Sequence, residues 1–550
     1  MKKIGYPVLL TLVTLFMLFI YEPIIMYAGN IDDFWFDLYM ILPSLFLIIL
    51  VITIITGLIY YLLLKKVNNK NIFNIVLIVH FIIFFILYIH GNYMVKDLNI
   101  LDGSTIKFSI VNIMSSIIFI LLIIGLVIIG IKKYGLVNVI DISKYIVGIV
   151  FIMLCSATIV TLSTTPKVLE KKEHIGIATN KDFNKYSTDK NFIIFVMDEI
   201  NSQEFYTAIS NSEYINTFEN FTYYPDTIAT YDNTANSVPF ILTGIWNKNT
   251  ELFDDYSKKA YKKSYLFNEL KTNNYDLAMY EEDFKMDYEE EKEMSNIVHV
   301  KRTINPFLFF KEEIKYINYK YLPYFLKPLV DINSFKLSAD RLGSHNLENK
   351  KEDYYNYYNK DVYNSIVNNK IDSTDKKQFK FIHMEGAHLP FNMDEDLNLI
   401  GTGTYEQKII ASIKVFDAFV DRLKENNMYD NSIIILLADH GLTELATDLG
   451  RQNPIFLVKG MNEHHDFSIS DKPISYADLN ELYKDLLNEK QGEELFSNIS
   501  NERERIHLHY KDPMDKTLVE YVQTGKAWDL TTLTKTGKEY KQHKGNENAN

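Results

Sequence analysis

The sequence predicts five membrane-spanning helices followed by an extracytoplasmic α/β domain whose mainly parallel sheet is sandwiched by helices. Three observations predict it. Five long apolar runs crowd the first 165 residues. Beyond them, short apolar runs that end in acidic groups or imidazole alternate with segments of helical period. The charge is also split: residues 1–165 hold ten Lys/Arg and seven Asp/Glu, the remainder 47 and 63, within a net charge of −13. At 550 residues the chain is too long for one core.

The apolar runs cover about 7–26, 39–64, 73–90, 111–131 and 144–163. Each approaches the ~20 residues a helix needs to cross the hydrocarbon layer. No small-x-small cleavage pattern follows the first run and four more runs do, so it is read as a retained helix rather than a signal peptide. Lys2 and Lys3, the K-K-V-N-N-K stretch at 65–70, and Lys132, Lys133 and Lys144 alternate with loops carrying Asp32, Asp33 and Asp37, then Asp97 and Asp102 with Lys96 and Lys107. That alternation puts the N-terminus inside and everything after residue 165 outside the cytoplasm of a multi-pass cell-membrane protein. Cys155 is the one cysteine, so neither an internal disulfide nor a cysteine metal cluster is possible.

The outer half reads as a juxtamembrane linker at 166–190, a folded domain at 191–530 with a helical insertion near the bilayer around 281–380, and a polar tail at 531–550. Buried strands are expected at N-F-I-I-F-V-M-D-E (191–199), K-F-I-H-M-E-G-A-H-L-P (380–390), N-S-I-I-I-L-L-A-D-H-G (431–441) and N-P-I-F-L-V-K-G (453–460), with helices at 263–274 and 405–424. In such sheets ligands bind beyond the carboxyl ends of the strands. The acidic outer half argues against nucleic acid, whose phosphates require clustered cations.

The strand ends carry the chemistry. Asp198 and Glu199 close the first strand and Asp439–His440 the third, a set of carboxylates and imidazole suited to Zn²⁺ or Mn²⁺. Thr234, in Y-D-N-T-A-N-S-V-P-F-I-L-T-G (231–244), is either a turn or cap residue or a nucleophile made competent by a metal. His388 in G-A-H-L-P is a structural histidine or one that binds a phosphoryl oxygen or protonates a leaving group. The bland reading of Asp198 and Glu199 is a helix cap after a strand. All these positions fall where strand ends converge.

With those residues in view, the outer half resembles the alkaline-phosphatase superfamily in its sulfatase-like branch. The whole chain resembles the lipoteichoic acid synthases and lipid A phosphoethanolamine transferases. T-A-N-S-V-P (234–239) is similar to the transferases' T-A-x-S-[VL]-P, which places a nucleophile on Thr234; D-H-G (439–441) places metal ligands on Asp439 and His440. The family's first acidic ligand falls on Asp198 or Glu199, with Asp198 favoured. G-A-H-L-P is similar to the G-S-H-G-P-like segment and carries a substrate-contacting role to His388, and 473–487 resembles a shared late helix.

The departures count too. No C-x-P-x-R or serine equivalent occurs, so sulfate-ester hydrolysis is not expected. The transferases' further histidine after D-H-G-E is absent, with Arg451 and Gln452 nearby instead. One tightly bound ion is therefore expected, and Arg451 is read either as a contact to a phosphoryl oxygen or as a structural ion pair. The resemblance implies a metal-dependent phosphotransferase that takes a phosphoglycerol- or phosphoethanolamine-type head group from a membrane phospholipid, through a covalent threonine intermediate, to a cell-surface glycan, teichoic polymer or lipid. A phosphodiesterase or other ester hydrolase, and a non-catalytic membrane scaffold, are the alternatives.

Overall fold

The structure is a computed structural model and describes residues 4–29, 34, 36–66, 70–95, 108–170, 174–210, 212–282, 284–301, 304–330, 332, 354–444, 448–512 and 516–542. It divides into two compact units: Met1–Ile175 with Lys301–Lys350, and Gly176–Val300 with Lys351–Asn550.

Five helices of the first unit are long and apolar enough to cross a membrane: α1 (Gly5–Gly29), α2 (Leu38–Lys65), α3 (Ile72–Met94), α4 (Ile110–Tyr134) and α5 (Leu136–Thr164). The α5 helix begins earlier than the apolar run at 144 because Gly135, at φ +82°, ends α4 and lets the chain restart at once. Its polar first turns, with Asp141 and Lys144 paired at 2.5 Å, hid that start from a reading based on apolar length. The charges read for orientation at 2–3, 32–33 and 96–107 lie outside the described residues.

This unit also takes a helix from far downstream, Pro306–Tyr321, whose Ile317 and Tyr321 are buried in the apolar cluster of the spanning helices. Its anchor is Glu22, which is fully buried and follows a π-turn at Met17–Tyr21 within α1. Lys320 Nζ lies 2.5 Å from Glu22 Oε1, and the Tyr321 hydroxyl donates to Oε2 at 2.7 Å. The Tyr321 ring lies so close to Gly91 that a Cβ there would meet it at 2.3 Å, which fixes glycine at that position. The expected insertion at 281–380 is thus narrower: 301–350 goes with the membrane unit, while 281–300 and 351–380 belong to the outer one. Residues 333–353 lie outside the described residues.

In the outer unit, β1 (Asn191–Met197), β2 (Thr222–Tyr223), β3 (Asp276–Tyr280), β4 (Gln378–Met384), β5 (Ser432–Leu437), β6 (Phe456–Lys459) and β7 (Ser468–Ile469) form one sheet in the order β7-β2-β6-β5-β1-β4-β3. Four of its six pairings are parallel; β6 runs antiparallel to both β5 and β2. Among the described residues no helix separates β5 from β6 in the chain, and without a crossover the strand returns in the opposite sense. Helices follow as α6 (Ser202–Ser210), α7 (Thr234–Thr243), α8 (Tyr265–Thr272), α9 (Tyr405–Glu425, with a Thr404/Gln407 capping box) and α10 (Leu479–Leu487).

Side chains of opposite parity on β1 show the sandwich. Phe195 meets Phe416 and Phe419 of α9, with ring centroids 5.2 and 5.1 Å away, while Phe192 meets Tyr483 of α10 at 6.0 Å. Every residue of β1, β4 and β5 is buried, at about 1.5–3 kcal/mol for each large apolar side chain, so the strand ends are rigid supports.

A second sheet, β8 (Arg505–Asp512), β9 (Thr517–Gln523) and β10 (Leu533–Tyr540), is antiparallel. The polar tail expected from 531 therefore starts later: β10 is largely exposed, and its polar composition disguised a strand; 543–550 lie outside the described residues. Likewise 176–190 belongs to the outer unit, where Lys185–Ser187 pairs in parallel with Asp372–Thr374.

Candidate active site

The parallel core strands all end at one edge of the sheet. Leu437 aligns with Val196, and Met384 with Met197, so the residues that follow each strand converge. Asp198 and Glu199 come from central β1, Asp439 and His440 from β5 on one side, and His383 from within β4 on the other. Two overlapping groups of ligand atoms result, Asp198–Glu199–His440 and Asp198–His383–Asp439, each with all atoms within 4.8 Å of one another and all five residues buried.

The backbone is fitted tightly around Asp198. Its N–H donates to Met384 O (3.2 Å), and its carbonyl accepts from Ala387 N (2.8 Å). Gly386 sits at φ +58°, where a Cβ would lie 2.2 Å from Asp198 O, so the loop after β4 can close on Asp198 only through glycine. Glu199 itself takes φ +56°, a strained conformation for a residue with a Cβ, secured by the Tyr405 hydroxyl donating to its carbonyl at 2.7 Å.

Thr234 is the first residue of α7, but it is not the cap. Asn233 fills that role, accepting from Asn236 N at 3.1 Å. The Thr234 hydroxyl faces the acidic site instead: it hydrogen-bonds the Asp439 side chain, and its Oγ1 lies 3.3 Å from His440 Nε2. The lead-in loop is laid along β8. Arg505 Nη1 donates to Asp226 O (2.7 Å), His507 Nδ1 to Ala229 O (2.8 Å), Leu508 N to Thr230 O (2.7 Å), and His509 Nδ1 lies 2.7 Å from Asp232 Oδ2. The C-terminal sheet thereby fixes where the hydroxyl sits. The N–H groups opening α7 also favour an anion beside Thr234.

His388 reaches the site from the loop after β4, with Nε2 3.9 Å from Glu199 Oε1 and Nδ1 2.6 Å from Leu389 O. Lys408 of α9 braces that loop: its buried ammonium bonds Glu385 Oε1 (2.7 Å), His388 O (2.5 Å) and Pro390 O (3.1 Å). Arg451 follows the D-H-G segment by ten residues. It is buried, ion-paired to Glu199 Oε1, and donates from Nε to Gly441 O at 3.0 Å. Of its two sequence readings, the structure has the ion pair.

The electrostatics suit a cation. Burial, then the Asp439 and Glu199 carboxylates, hold Asp198 well above the usual carboxylate range. Burial opposes ionisation of Asp439 too, but His440 and His383 hold it below that range. Burial pushes His440 down; its Nδ1 faces Gly441 O at 2.9 Å, which leaves Nε2 with the lone pair. Asp198 Oδ1, Glu199 Oε2 and His383 Nε2 are buried and accept or donate no hydrogen bond, and Asp439 Oδ2 lies 3.2 Å from His440 Nε2. Such atoms are costly to bury unmet. Oxygen and imidazole donors in this number fit a divalent ion of the Zn²⁺ or Mn²⁺ kind, held by Asp198, Glu199, Asp439 and His440 with Thr234 beside it.

Sequence reasoning missed His383 and its partner Glu281, whose Oε2 lies 2.5 Å from His383 Nδ1. The signal was present. His383 interrupts a buried strand, and Glu281 follows D-L-A-M-Y, another apolar run ending in an acid.

The Sulfatase family model matches residues 190–453. No curated protein matches the chain. Among solved structures, the chain is similar to a protein in the alkaline phosphatase superfamily from Vibrio parahaemolyticus, at 14% identity and TM-score 0.37, covering 64% of this chain and 79% of that one. It is similar to the lipoteichoic acid synthase LtaP from Listeria monocytogenes, at 12% identity and TM-score 0.34, covering 63% and 86%. It is also similar to the C-terminal periplasmic domain of EcEptC from Escherichia coli, at 13% identity and TM-score 0.31, covering 63% and 92%.

Proposed function

We propose that the chain is a membrane-anchored enzyme of the alkaline-phosphatase superfamily that transfers phospholipid head groups by way of Thr234, a reading supported by the match of residues 190–453 to the Sulfatase family model and by the five long apolar helices. The observation that carries this is the hydroxyl of Thr234, 3.3 Å from His440 Nε2, in a site where Asp198 Oδ1 and Glu199 Oε2 are buried without a hydrogen-bond partner. A bound divalent ion supplies Lewis-acid stabilisation of the threonine oxygen and of the phosphoryl oxygens.

The chain's own residues do the rest. Thr234 Oγ forms a bond to phosphorus, the bond from phosphorus to the diacylglycerol oxygen breaks, and Thr234 gives up its hydroxyl proton to solvent. His388 Nε2 protonates the departing oxygen, its Nδ1 being engaged with Leu389 O. In the second half a hydroxyl of a surface glycan, teichoic polymer or lipid attacks phosphorus and gives its proton to His388, the bond from phosphorus to Thr234 Oγ breaks, and that oxygen regains a proton from solvent. Arg451 holds Glu199 in place. The alternating Lys-rich loops support an outward-facing domain in the cell membrane, and anchoring raises the effective concentration of a lipid donor.

The test is intact-mass spectrometry of the purified chain after exposure to vesicles with defined head groups. A mass increment at Thr234 names the group carried, and Thr234→Ala lowers transfer at least a thousandfold, roughly the scale of removing a nucleophile, while leaving the melting temperature in place. Wild-type transfer rates in that variant would end the proposal. Release of free phospho-alcohol without a modified acceptor would point to hydrolysis instead.

A further inference from the structure

We infer that the spanning unit holds an anionic phospholipid in a cavity at the Lys-rich end of its helices, between the starts of α1, α3 and α5. The inference rests on this unit alone and not on Thr234 or the reaction assigned to it.

The cavity has a volume of about 650 Å³, within the range of sites that hold a sizeable ligand. Tyr6, Phe73, Leu77 and Ile140 line it and are buried, so its floor is apolar. The one polar atom of that floor is already met, since the Tyr6 hydroxyl lies 2.6 Å from Ser143 Oγ. Leu9 and Val137, also in the lining, are 39% and 62% exposed. Exposed apolar side chains on spanning helices face hydrocarbon, so an acyl chain reaches the floor from the side.

The charge at the same end selects the head group. The α2 helix closes on Lys65, α4 closes on Lys132 and Lys133, and Lys144 lies in the early turns of α5. Gly135 turns α4 directly into α5, which brings Lys132 and Lys133 to the end where α5 begins. Asp141 is the single acid in α2, α3, α4 and α5. It and Lys144 belong to the cavity lining; Lys144 Nζ lies 2.5 Å from Asp141 Oδ1 and 5.8 Å from the centre of the Tyr6 ring. An ammonium has three donors and the carboxylate engages one, so Lys144 also serves a phosphate oxygen. Lysines that merely snorkel to water would explain the charges but not the apolar hollow beneath them. A zwitterionic head group would add a further cation among the lysines, whereas a net negative one complements them, as basic pockets between spanning helices do. With the orientation proposed above, this is the cytoplasmic leaflet, so the bound lipid is distinct from a donor consumed outside.

The test uses the full chain in detergent micelles doped with a phosphatidylglycerol that carries a photoreactive diazirine in one acyl chain. Labelled peptides are mapped by mass spectrometry, with plain phosphatidylglycerol or phosphatidylcholine of the same chains as competitor. Mapping separates this site from the outer unit, where a donor would be labelled. Label is expected on segments 5–9, 73–77 and 137–144. Phosphatidylglycerol should displace it at least about tenfold better than phosphatidylcholine, the scale set by two or more lysines near a lipid head group. Lys133→Gln/Lys144→Gln, which changes only exposed side chains, should lower the label on these segments and abolish that preference. Val137→Trp, also at an exposed position, fills the opening and should lower the label with the lysines intact. No label on these segments, equal competition by the two lipids, or undiminished label in either variant overturns the inference.

Discussion

Lys408→Met should destabilise the outer unit and misplace His388 together. The ammonium is wholly buried and its partner Glu385 nearly so, at 0% and 7% side-chain exposure. Removing the cation leaves the Glu385 carboxylate buried without its counter-charge and deprives the His388 and Pro390 carbonyls of a donor. Breaking such a pair costs about 3–5 kcal/mol, whereas replacing both partners with apolar groups is often near neutral. Lys408→Met/Glu385→Leu should therefore cost only about 1–2 kcal/mol, mostly from the two carbonyls. Pulse proteolysis of the detergent-solubilised chain across a urea series measures all four corners of the cycle. Coupling of at least about 2 kcal/mol is expected. A single-variant cost under about 1 kcal/mol, or additive losses, would refute the claim that the pair braces the His388 loop.

Other outcomes follow from the same geometry. Gly386→Ala drives a Cβ into the Asp198 backbone and should cost on the order of 2 kcal/mol or more, with cation affinity down at least tenfold by calorimetry. Asn233→Ala removes the α7 cap, costs about 1 kcal/mol by thermal melting, and slows the reaction more than it weakens substrate binding. Burial pushes His507 down to about 4, below its unfolded value near 6.5, so the neutral ring's contribution is complete above pH 6.5 and is lost as pH falls toward 4. His507→Asn should flatten that part of the stability–pH curve, a difference on the order of 3 kcal/mol across the window. Glu22→Leu strips Lys320 of its counter-charge and should make the Pro306–Tyr321 helix cleavable by added protease under conditions where the wild type resists.

How much of this was legible depended on distance along the chain. Asp198, Glu199, Asp439 and His440 sit directly after apolar strands, so a strand-end rule finds them. His383 and Glu281 are 102 residues apart and become neighbours only because Tyr280 aligns with Ile382 in the β3–β4 pairing. No local pattern encodes that register. Thr234 was ambiguous because Asn233 and Thr234 are both good caps, and only coordinates show which of them the helix uses. Arg451 was ambiguous for a similar reason: a guanidinium serves a phosphate or a carboxylate equally well. The strand β10 escaped because exposed strands need few apolar residues, and the fate of 301–350 escaped because an amphipathic helix does not name the surface that covers it.

The excursion of 301–350 has a practical side. Anyone who trims the gene at residue 176 to secrete the enzymatic half alone keeps Pro306–Tyr321 while discarding Glu22 and Gly91, the groups that receive Lys320 and Tyr321. The orphaned greasy stretch would then seek micelles or sister molecules. Replacing it with a short Gly/Ser bridge between 300 and 351 is the sounder route to a well-behaved fragment.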